Sequence, residues 1–599
     1  MSRQAASINA FLAGYFILLA VATSAAYSGV FESEVLRWDD NVYLNSELVQ
    51  SLSMDNFFAI FYEKHHSNWH PLTTLSFAIE NALWGRNAVY SKFTNIFLHL
   101  VNVWLFYVLC HRLLLLATQN SAEAGKPGLI SQLLADRKRF AIYSSLLAAT
   151  LFALHPQHVE SVVWISERKG LLCAVFYLAA LIAYLKAQTE QTKYCSNLAL
   201  IFCLFALMSK PVAVSLPVAL ILLDIYPLGK IGSLSFSADS ITRLLRGKLS
   251  YILMALASVV ITLLYQDPQD SEVFEYLPRL INACAAYLHY VITLFYPFDL
   301  SPFYPFLEFS LKPSLVSILP VLAFFSLAFI AVTFYYRGIR FPLAIFAFYV
   351  ISLLPVIGIV KVGRQAMADR YAYLSTIWFY LLLGVTVYAL YVLLKRYRQQ
   401  YIGALLFVSI SALLGFTTYD QTRHWRNDVL LWERVIDIYP DSASIAYVNL
   451  ASAHDAKGSM DAEQIEQLLN KALSISPNEP YNLGAIANFY GRLGNEQKAL
   501  EYLLRLVDIA PYNSWAQAQI GDIYFKRNDI ANAGNYYLTA LKHGSESEKV
   551  IFRLAVIDYH YQRYADALSK LEILTPAKTG AKEKALRKKI ENALANPTR

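Results

Sequence analysis

The sequence predicts an all-α protein in which many membrane-crossing helices are followed by a domain of helical repeats. Of its 599 residues, 56% are hydrophobic and only 16% are charged, whereas about a quarter are charged in an average soluble domain. Long uncharged runs fill the first 420 residues, and a 34-residue repeat follows. These observations exclude a wholly soluble protein, a disordered chain and a strongly basic nucleic-acid-binding protein.

Twelve apolar runs account for the predicted membrane helices, because a bilayer crossing takes about 20 apolar residues. The runs are 4–31, 93–111, 140–159, 171–185, 194–209, 211–223, 249–266, 280–298, 313–336, 341–360, 371–394 and 399–419. The first run is longer than the hydrophobic stretch of a signal peptide, so we expect it to be an anchor.

Loop charges set the expected orientation, because Lys and Arg favour the cytoplasmic side. The basic loops are 112–139, 227–248, 337–340 and 395–398, and the acid-rich loops are 32–63 and 267–275. Twelve crossings would place two basic loops outside. We therefore expect that 280–298 does not cross, that about 11 helices do, and that the C-terminal domain lies outside.

Residues beyond about 420 are more polar and contain an internal repeat. Small or apolar residues and turn residues recur at a step of 34: Ile486, Ile520 and Leu554; Ala499, Ala533 and Ala567; Gly494, Asn528 and Gln562. This period is typical of tetratricopeptide repeats. We predict a membrane domain over 1–420, a connector over 421–443 and about four repeats with a capping helix over 444–599.

Two adjacent carboxylates, Asp39 and Asp40, follow the first predicted crossing. Repulsion and partial burial can raise the pKa of one of them and make it a base near neutral pH. The alternative is that they form the acidic N-terminus of an interfacial helix.

Histidines form two further polar segments at the predicted outer surface. His65, His66 and His70 fall within six residues, a weak pattern for a metal site and a common one for interfacial anchors. His155, His158 and other polar residues lie where two crossings end. Ionisable groups at a membrane edge indicate a functional site by default.

Basic residues near the same surface are candidates for binding an anion. Arg364 and Arg370 occupy the last outer loop, and Lys210 lies between two apolar runs. With Arg168 and Lys169 they suit a lipid phosphate. The alternatives are an Asp369–Arg370 surface pair and a lysine that reaches out of the membrane.

Several motifs together resemble those of the transmembrane and TPR-repeat-containing protein O-mannosyltransferases. The matching segments are Trp38-Asp39-Asp40, His70-Pro71-Leu72, 155–168, Ser209-Lys210-Pro211, 224–229, 368–374 and His424-Trp425-Arg426, with Trp432 and Pro440. They occur in the family's order and span most of the chain. The repeat domain, with about four repeats, is short for the animal members, and a bacterial relative would use undecaprenyl rather than dolichyl phosphate.

The resemblance implies a membrane enzyme of the GT-C fold that takes a sugar from a polyprenyl-phosphate donor. It carries over a role only for the first of three groups of residues, and the other two follow from what displacement of a lipid phosphate by a hydroxyl needs. The catalytic pair is Asp39 and Asp40. The candidates for the donor phosphate are Arg168, Lys169, Lys210, Arg364 and Arg370. The candidates for sugar or acceptor are His70, His155, His158, Glu160, Trp164 and Tyr371.

From the resemblance we expect inverting transfer of a hexose, such as mannose, to Ser or Thr of an exported protein. The repeats would engage that protein at the periplasmic face of a bacterial inner membrane. Two alternatives remain: a GT-C transferase for an envelope lipid or glycan, and a non-catalytic scaffold. No metal ligands are predicted, although carboxylates could hold a divalent ion, and no nucleic-acid partner is expected.

Overall fold

A computed structural model of the protein describes residues 3–63, 68–119, 133, 136–230, 238–265, 276–306, 315–359, 363–545, 547–574 and 581–595. Within these ranges the chain is helical and forms no β-sheet; one isolated bridge joins Tyr304 and Met367. The chain divides into two compact units, residues 1–439 and 440–599.

The first unit contains nineteen described α-helices of very different lengths. They are Arg3–Ala26 (α1), Asp40–Asn45 (α2), Met54–Tyr62 (α3), Pro71–Trp84 (α4), Ala88–Gln119 (α5), Arg137–Leu154 (α6), Val159–Val163 (α7), Arg168–Glu190 (α8), Lys193–Ser209 (α9), Leu216–Ile225 (α10), Ala238–Arg246 (α11), Leu249–Tyr265 (α12), Tyr276–Phe295 (α13), Leu315–Tyr336 (α14), Phe341–Leu353 (α15), Ala372–Ser375 (α16), Ile377–Arg396 (α17), Gln400–His424 (α18) and Asp428–Ile438 (α19).

Six helices among the described residues are long and apolar enough to cross a membrane, as a polytopic membrane protein requires. These spans are Ser7–Ala26, Ala88–Gln119, Ile165–Glu190, Ser317–Tyr336, Ile377–Arg396 and Gln400–His424. Four further apolar helices are shorter, among them α9 and α15. The number of about 11 crossings stays a prediction.

Close helix packing forms the centre of the first unit. Helix α17 crosses α6 at Gly384, where an added Cβ would meet the carbonyl oxygen of Ser144 and the backbone of Ala148. Helices α5 and α8 also pack in this region, and α8 buries Leu171 and Tyr177 there. In a membrane, small residues at crossings let backbones approach and gain dispersion contacts.

Among its described residues, the second unit has four pairs of antiparallel helices and a final helix. They are Ser444–Lys457 (α20), Ala462–Ile475 (α21), Pro480–Arg492 (α22), Glu496–Ile509 (α23), Ser514–Lys526 (α24), Ile530–Lys542 (α25), Glu548–His560 (α26), Tyr564–Ile573 (α27) and Ala581–Ala595 (α28). The turn residues Gly494, Asn528 and Gln562 have positive φ values of 74°, 60° and 59°. A left-handed residue of this kind commonly ends a helix.

Small residues recur where the paired helices touch. A Cβ added to Gly521 would lie 2.8 Å from the ring of Tyr537 on the partner helix. Ala487 and Ala555 hold the equivalent places, one repeat away on either side, and both are buried. At the end of the array, α28 covers the last pair by burying Leu586 and Ile590 against Leu571.

Candidate functional site

Asp40 begins α2 and is completely buried. Its Oδ1 accepts hydrogen bonds from the backbone N–H and the hydroxyl of Ser166, at 2.9 and 2.6 Å. Its Oδ2 has no hydrogen-bond donor among the described residues. Burial raises the pKa of Asp40 to about 6, although the Ser166 hydrogen bonds and the charge of Lys92 oppose this shift.

Asp39 has a different environment from its neighbour. It is partly exposed, and the charge of Lys169 interacts with it. Two long-range contacts hold the chain just before it: Arg37 N–H donates to Asp428 Oδ1 at 3.0 Å, and Glu34 N–H donates to the Arg426 carbonyl at 2.7 Å. The two aspartates therefore divide into an accessible and a buried carboxyl group.

Three of the predicted cationic residues converge on the buried carboxylate of Glu167. Lys210 Nζ forms an ion pair with Glu167 Oε1. Arg370 Nε lies 4.0 Å from Oε2, and the charge of Lys169 also interacts with this carboxylate. A Cβ at Gly170 would lie 2.5 Å from Oε1, so a larger residue there would press on this centre.

Arg370 also pairs with Glu160, which sequence analysis placed in the sugar or acceptor group. Its guanidinium and its backbone N–H both bond the Glu160 carboxylate, the latter at 2.9 Å. Burial raises the pKa of Glu160, and the charge of Arg370 opposes the shift. The guanidinium lies 5.2 Å from the ring of Trp164 and 4.9 Å from that of Tyr371.

Tryptophans form an aromatic group beside these charges. Trp38 stacks on Trp164 with ring centroids 4.8 Å apart. Trp432 lies 5.3 Å from Trp38, and Trp425 lies 6.1 Å from Trp164. Trp38 directly precedes Asp39, and Trp164 precedes the 165–170 segment that contains Glu167 and Lys169, so these two tryptophans share segments with part of the charged group.

His70 connects to this centre through one tyrosine. The Tyr43 hydroxyl lies 3.2 Å from His70 Nε2, and Lys169 Nζ donates to the same hydroxyl at 3.3 Å. The structure thus brings together most of the predicted site residues: Asp39, Asp40, Lys169, Lys210, Arg370, Glu160, Trp164, Tyr371 and His70.

Arg168 is fully buried in a network of its own. Its NH2 group lies 2.7 Å from Glu80 Oε2, its Nε donates to Asn95 at 3.1 Å, and its guanidinium lies 4.0 Å from the centre of the Phe77 ring. Ser91 also bonds Glu80. This packing suits a residue that fixes the start of α8, next to Ser166 and Glu167.

The remaining predicted residues have other surroundings. His155 bonds the Leu294 carbonyl through Nε2 at 3.1 Å and the Gln157 N–H through Nδ1 at 3.2 Å. His158 Nε2 lies 3.0 Å from the Tyr380 hydroxyl. Both histidines are buried, whereas Arg364 is exposed.

Sequence reasoning gave no role to Glu80, Ser166 or Glu167. Glu80 had a usable signal, since it is the one charged residue of α4. Ser166 and Glu167 lay inside a quoted motif, but only folding shows that they bind Asp40 and the cations. No group of three or more His, Cys, Asp or Glu side chains able to hold a metal occurs in the described ranges. His65 and His66 lie outside those ranges.

The tetratricopeptide repeat family matches residues 481–513. The chain is distantly similar to protein O-mannosyltransferases. It is 36% identical to human protein O-mannosyl-transferase TMTC4 over 21% of this chain and 16% of that protein. It is 25% identical to protein O-mannosyl-transferase F38B6.6 of Caenorhabditis elegans over 67% of this chain and 53% of that protein. The chain thus spans about half, or less, of these relatives' lengths.

One solved structure, of pilF from Pseudomonas aeruginosa, matches 28% of this chain and 76% of its own at 17% identity and a TM-score of 0.26. At this score the match defines neither fold nor function.

Proposed function

We propose that the chain is a membrane glycosyltransferase that moves a sugar from a polyprenyl-phosphate donor to a Ser or Thr hydroxyl of an exported protein. The observation that carries the proposal is the convergence of Lys169, Lys210 and Arg370 on Glu167, beside the accessible carboxylate of Asp39. A base next to clustered cations is what displacement of a phosphate by a hydroxyl requires. The distant similarity to O-mannosyltransferases supports the same reaction.

Asp39 is our candidate for the base, because a substrate hydroxyl can reach a partly exposed carboxylate and cannot reach Asp40 without rearrangement. The acceptor oxygen attacks the anomeric carbon while its proton passes to Asp39. The bond from that carbon to the phosphate oxygen breaks, and the electron pair leaves with the phosphate. One displacement inverts the configuration. A positioned base contributes roughly 10²–10⁴-fold to such a rate.

The cations would stabilise the charge that develops on the departing phosphate. Lys169, Lys210 and Arg370 are our candidates, and Glu160 and Glu167 hold them in place until the donor binds. Arg168 acts in this proposal as a positioning residue, since its polar contacts are internal. Exposed Arg364 remains a candidate for the donor headgroup.

The aromatic group suits the sugar, because its faces can pack on the C–H groups of a pyranose ring. We assign this role to Trp38 and Trp164, with Tyr371 at the edge. His70 would orient Lys169 through Tyr43. His155 and His158 are proposed to support the 155–167 loop, since both ring nitrogens of His155 already have partners.

The repeat unit is proposed to present the acceptor protein, because stacked repeats form a concave surface that binds proteins. We place this unit, with Asp39, on the periplasmic side of a bacterial inner membrane. The basic loops support this placement. Because Lys and Arg favour the cytoplasm, these loops mark the cytoplasmic ends of the helices, and Asp39 lies at the other ends.

Glycopeptide analysis of envelope proteins tests the proposal. Cells would carry the normal chain, Asp39→Asn, or Asp420→Asn, a matched change at an exposed aspartate of the same unit. We expect a hexose-sized mass on Ser or Thr peptides to disappear in Asp39→Asn and persist in Asp420→Asn. Unchanged peptides with altered envelope lipids would favour a lipid or glycan acceptor. No change in either class would favour a scaffold.

A further inference from the structure

A cavity of about 390 Å³ lies among helices of the first unit, and none of the charged residues described above lines it. Its wall includes residues of α5, α6, α8, α10, α15 and α17. Three of these helices, α5, α8 and α17, fall within candidate membrane spans. The volume falls in the range of about 300–1,000 Å³ that is usual for ligand sites.

The wall of the cavity is almost entirely apolar. Among the described residues that line it, only Thr118, Tyr226 and Trp378 carry a polar side-chain atom. The Thr118 hydroxyl already donates to the Leu114 carbonyl at 2.8 Å. A buried water needs two to four polar partners, so this wall disfavours water. A hydrocarbon chain instead supplies the dispersion contacts that such a wall lacks.

The α5 part of the cavity wall lies at the other end of that helix from the Arg168 network. Helix α5 contributes Asn95 to the Arg168 network and Leu114 to the cavity wall. These two residues are about 28 Å apart along the helix axis at a rise of 1.5 Å per residue. The part of the wall formed by α5 therefore lies far along this helix from the Arg168 network, whereas Trp378 extends the wall to the start of α17.

Three arginines adjoin residues of the cavity wall along the chain at this end of the helices, and we call them the arginine rim. Arg112, Arg139 and Arg340 directly precede lining residues of α5, α6 and α15. Arg139 is well exposed and pairs with Asp136 at 3.1 Å, and Arg112 lies 4.0 Å from Glu190. An arginine at the membrane edge can bind a phosphate through two N–H groups, so this rim complements an anionic headgroup.

We propose that this cavity holds one acyl chain of an anionic bilayer phospholipid, with the phosphate at the arginine rim. The site is independent of the proposed sugar transfer. It would fill the space between packed helices of the first unit and tie that part of the fold to anionic lipid.

Photolabelling of the full-length protein tests this proposal. The probe is phosphatidylglycerol with a diazirine in the middle of one acyl chain, and labelled peptides are mapped by mass spectrometry. We expect label in residues 341–348. Ala344→Phe fills the cavity and should reduce that label several-fold, whereas Ala323→Phe, on the exposed side of α14, should not. Equal labelling of both variants would overturn the proposal.

Competition identifies the source of the chain. Unlabelled phosphatidylglycerol should displace the probe better than phosphatidylcholine does, and removing the rim charges with Arg139→Gln and Arg340→Gln should abolish that preference. These variants keep the cavity wall, so they remain informative if Ala344→Phe does not fold. Stronger competition by polyprenyl phosphate would overturn the assignment to a phospholipid, as would a preference that survives loss of the arginines.

Discussion

The buried carboxyl group of Asp40 makes stability depend on pH in a way that one substitution should remove. Burial raises its pKa from 3.8 to about 6, so the folded state binds this proton more tightly than the unfolded state does. The free energy of unfolding therefore falls as pH rises from about 4 to above 6. At about 1.36 kcal/mol per pKa unit, the charged form costs about 3 kcal/mol at pH 8.

Asp40→Asn keeps an acceptor oxygen for Ser166 and carries no charge at any pH. We expect the variant and the wild type to be similarly stable near pH 4, and the variant to be more stable by about 3 kcal/mol at pH 8. The attraction between Lys92 and the Asp40 carboxylate, which the variant loses, already lowers that pKa.

The measurement is unfolding of the full chain in mixed micelles from pH 4 to 8, with Asp39→Asn as the partly exposed control. That control removes a carboxylate that is only partly buried, and losing its attraction to Lys169 should cost under about 1 kcal/mol. A difference between Asp40→Asn and the wild type that does not vary with pH would refute the reasoning, as would a variant that is less stable at pH 8.

Two further predictions compare matched substitutions in the same assay. Glu80→Gln should destabilise the chain by about 3–5 kcal/mol, because it leaves the buried Arg168 charge without its partner. Glu190→Gln breaks an exposed contact and should cost under about 1 kcal/mol; equal losses would contradict the assigned burial. Gly521→Ala should cost about 1–3 kcal/mol, because its Cβ presses on the neighbouring tyrosine ring. Gly491→Ala, whose Cβ meets nothing within 4 Å, should add about 0.4–1 kcal/mol, and effects of the same sign would contradict this contrast.

Features that repeat or extend along the chain were predictable from the sequence. Uncharged runs predicted membrane helices, because a crossing needs a continuous apolar segment. The 34-residue step predicted paired helices, and its turn residues adopt the left-handed conformation. In both cases the signal is local or periodic.

Contacts between distant segments were not predictable in this way. Arg168 and Asp40 both lie in motifs that suggest a site, yet their partners are separated from them by 88 and 126 residues. Pairing with Glu80 places Arg168 in the interior, and pairing with Ser166 does the same for Asp40. Residue type alone could not show that Asp40 is buried while Asp39 is partly exposed, or that Arg168 is buried while Lys169 is partly exposed.

The sequence by itself determined the helical class, the membrane and repeat portions, and the segments that carry the candidate site. Only the tertiary structure decided which cations meet at Glu167, which aspartate is accessible and where an apolar cavity forms. The physical reason is that a hydrophobic pattern is a local property of the sequence. Burial and charge pairing depend instead on which distant helices pack together.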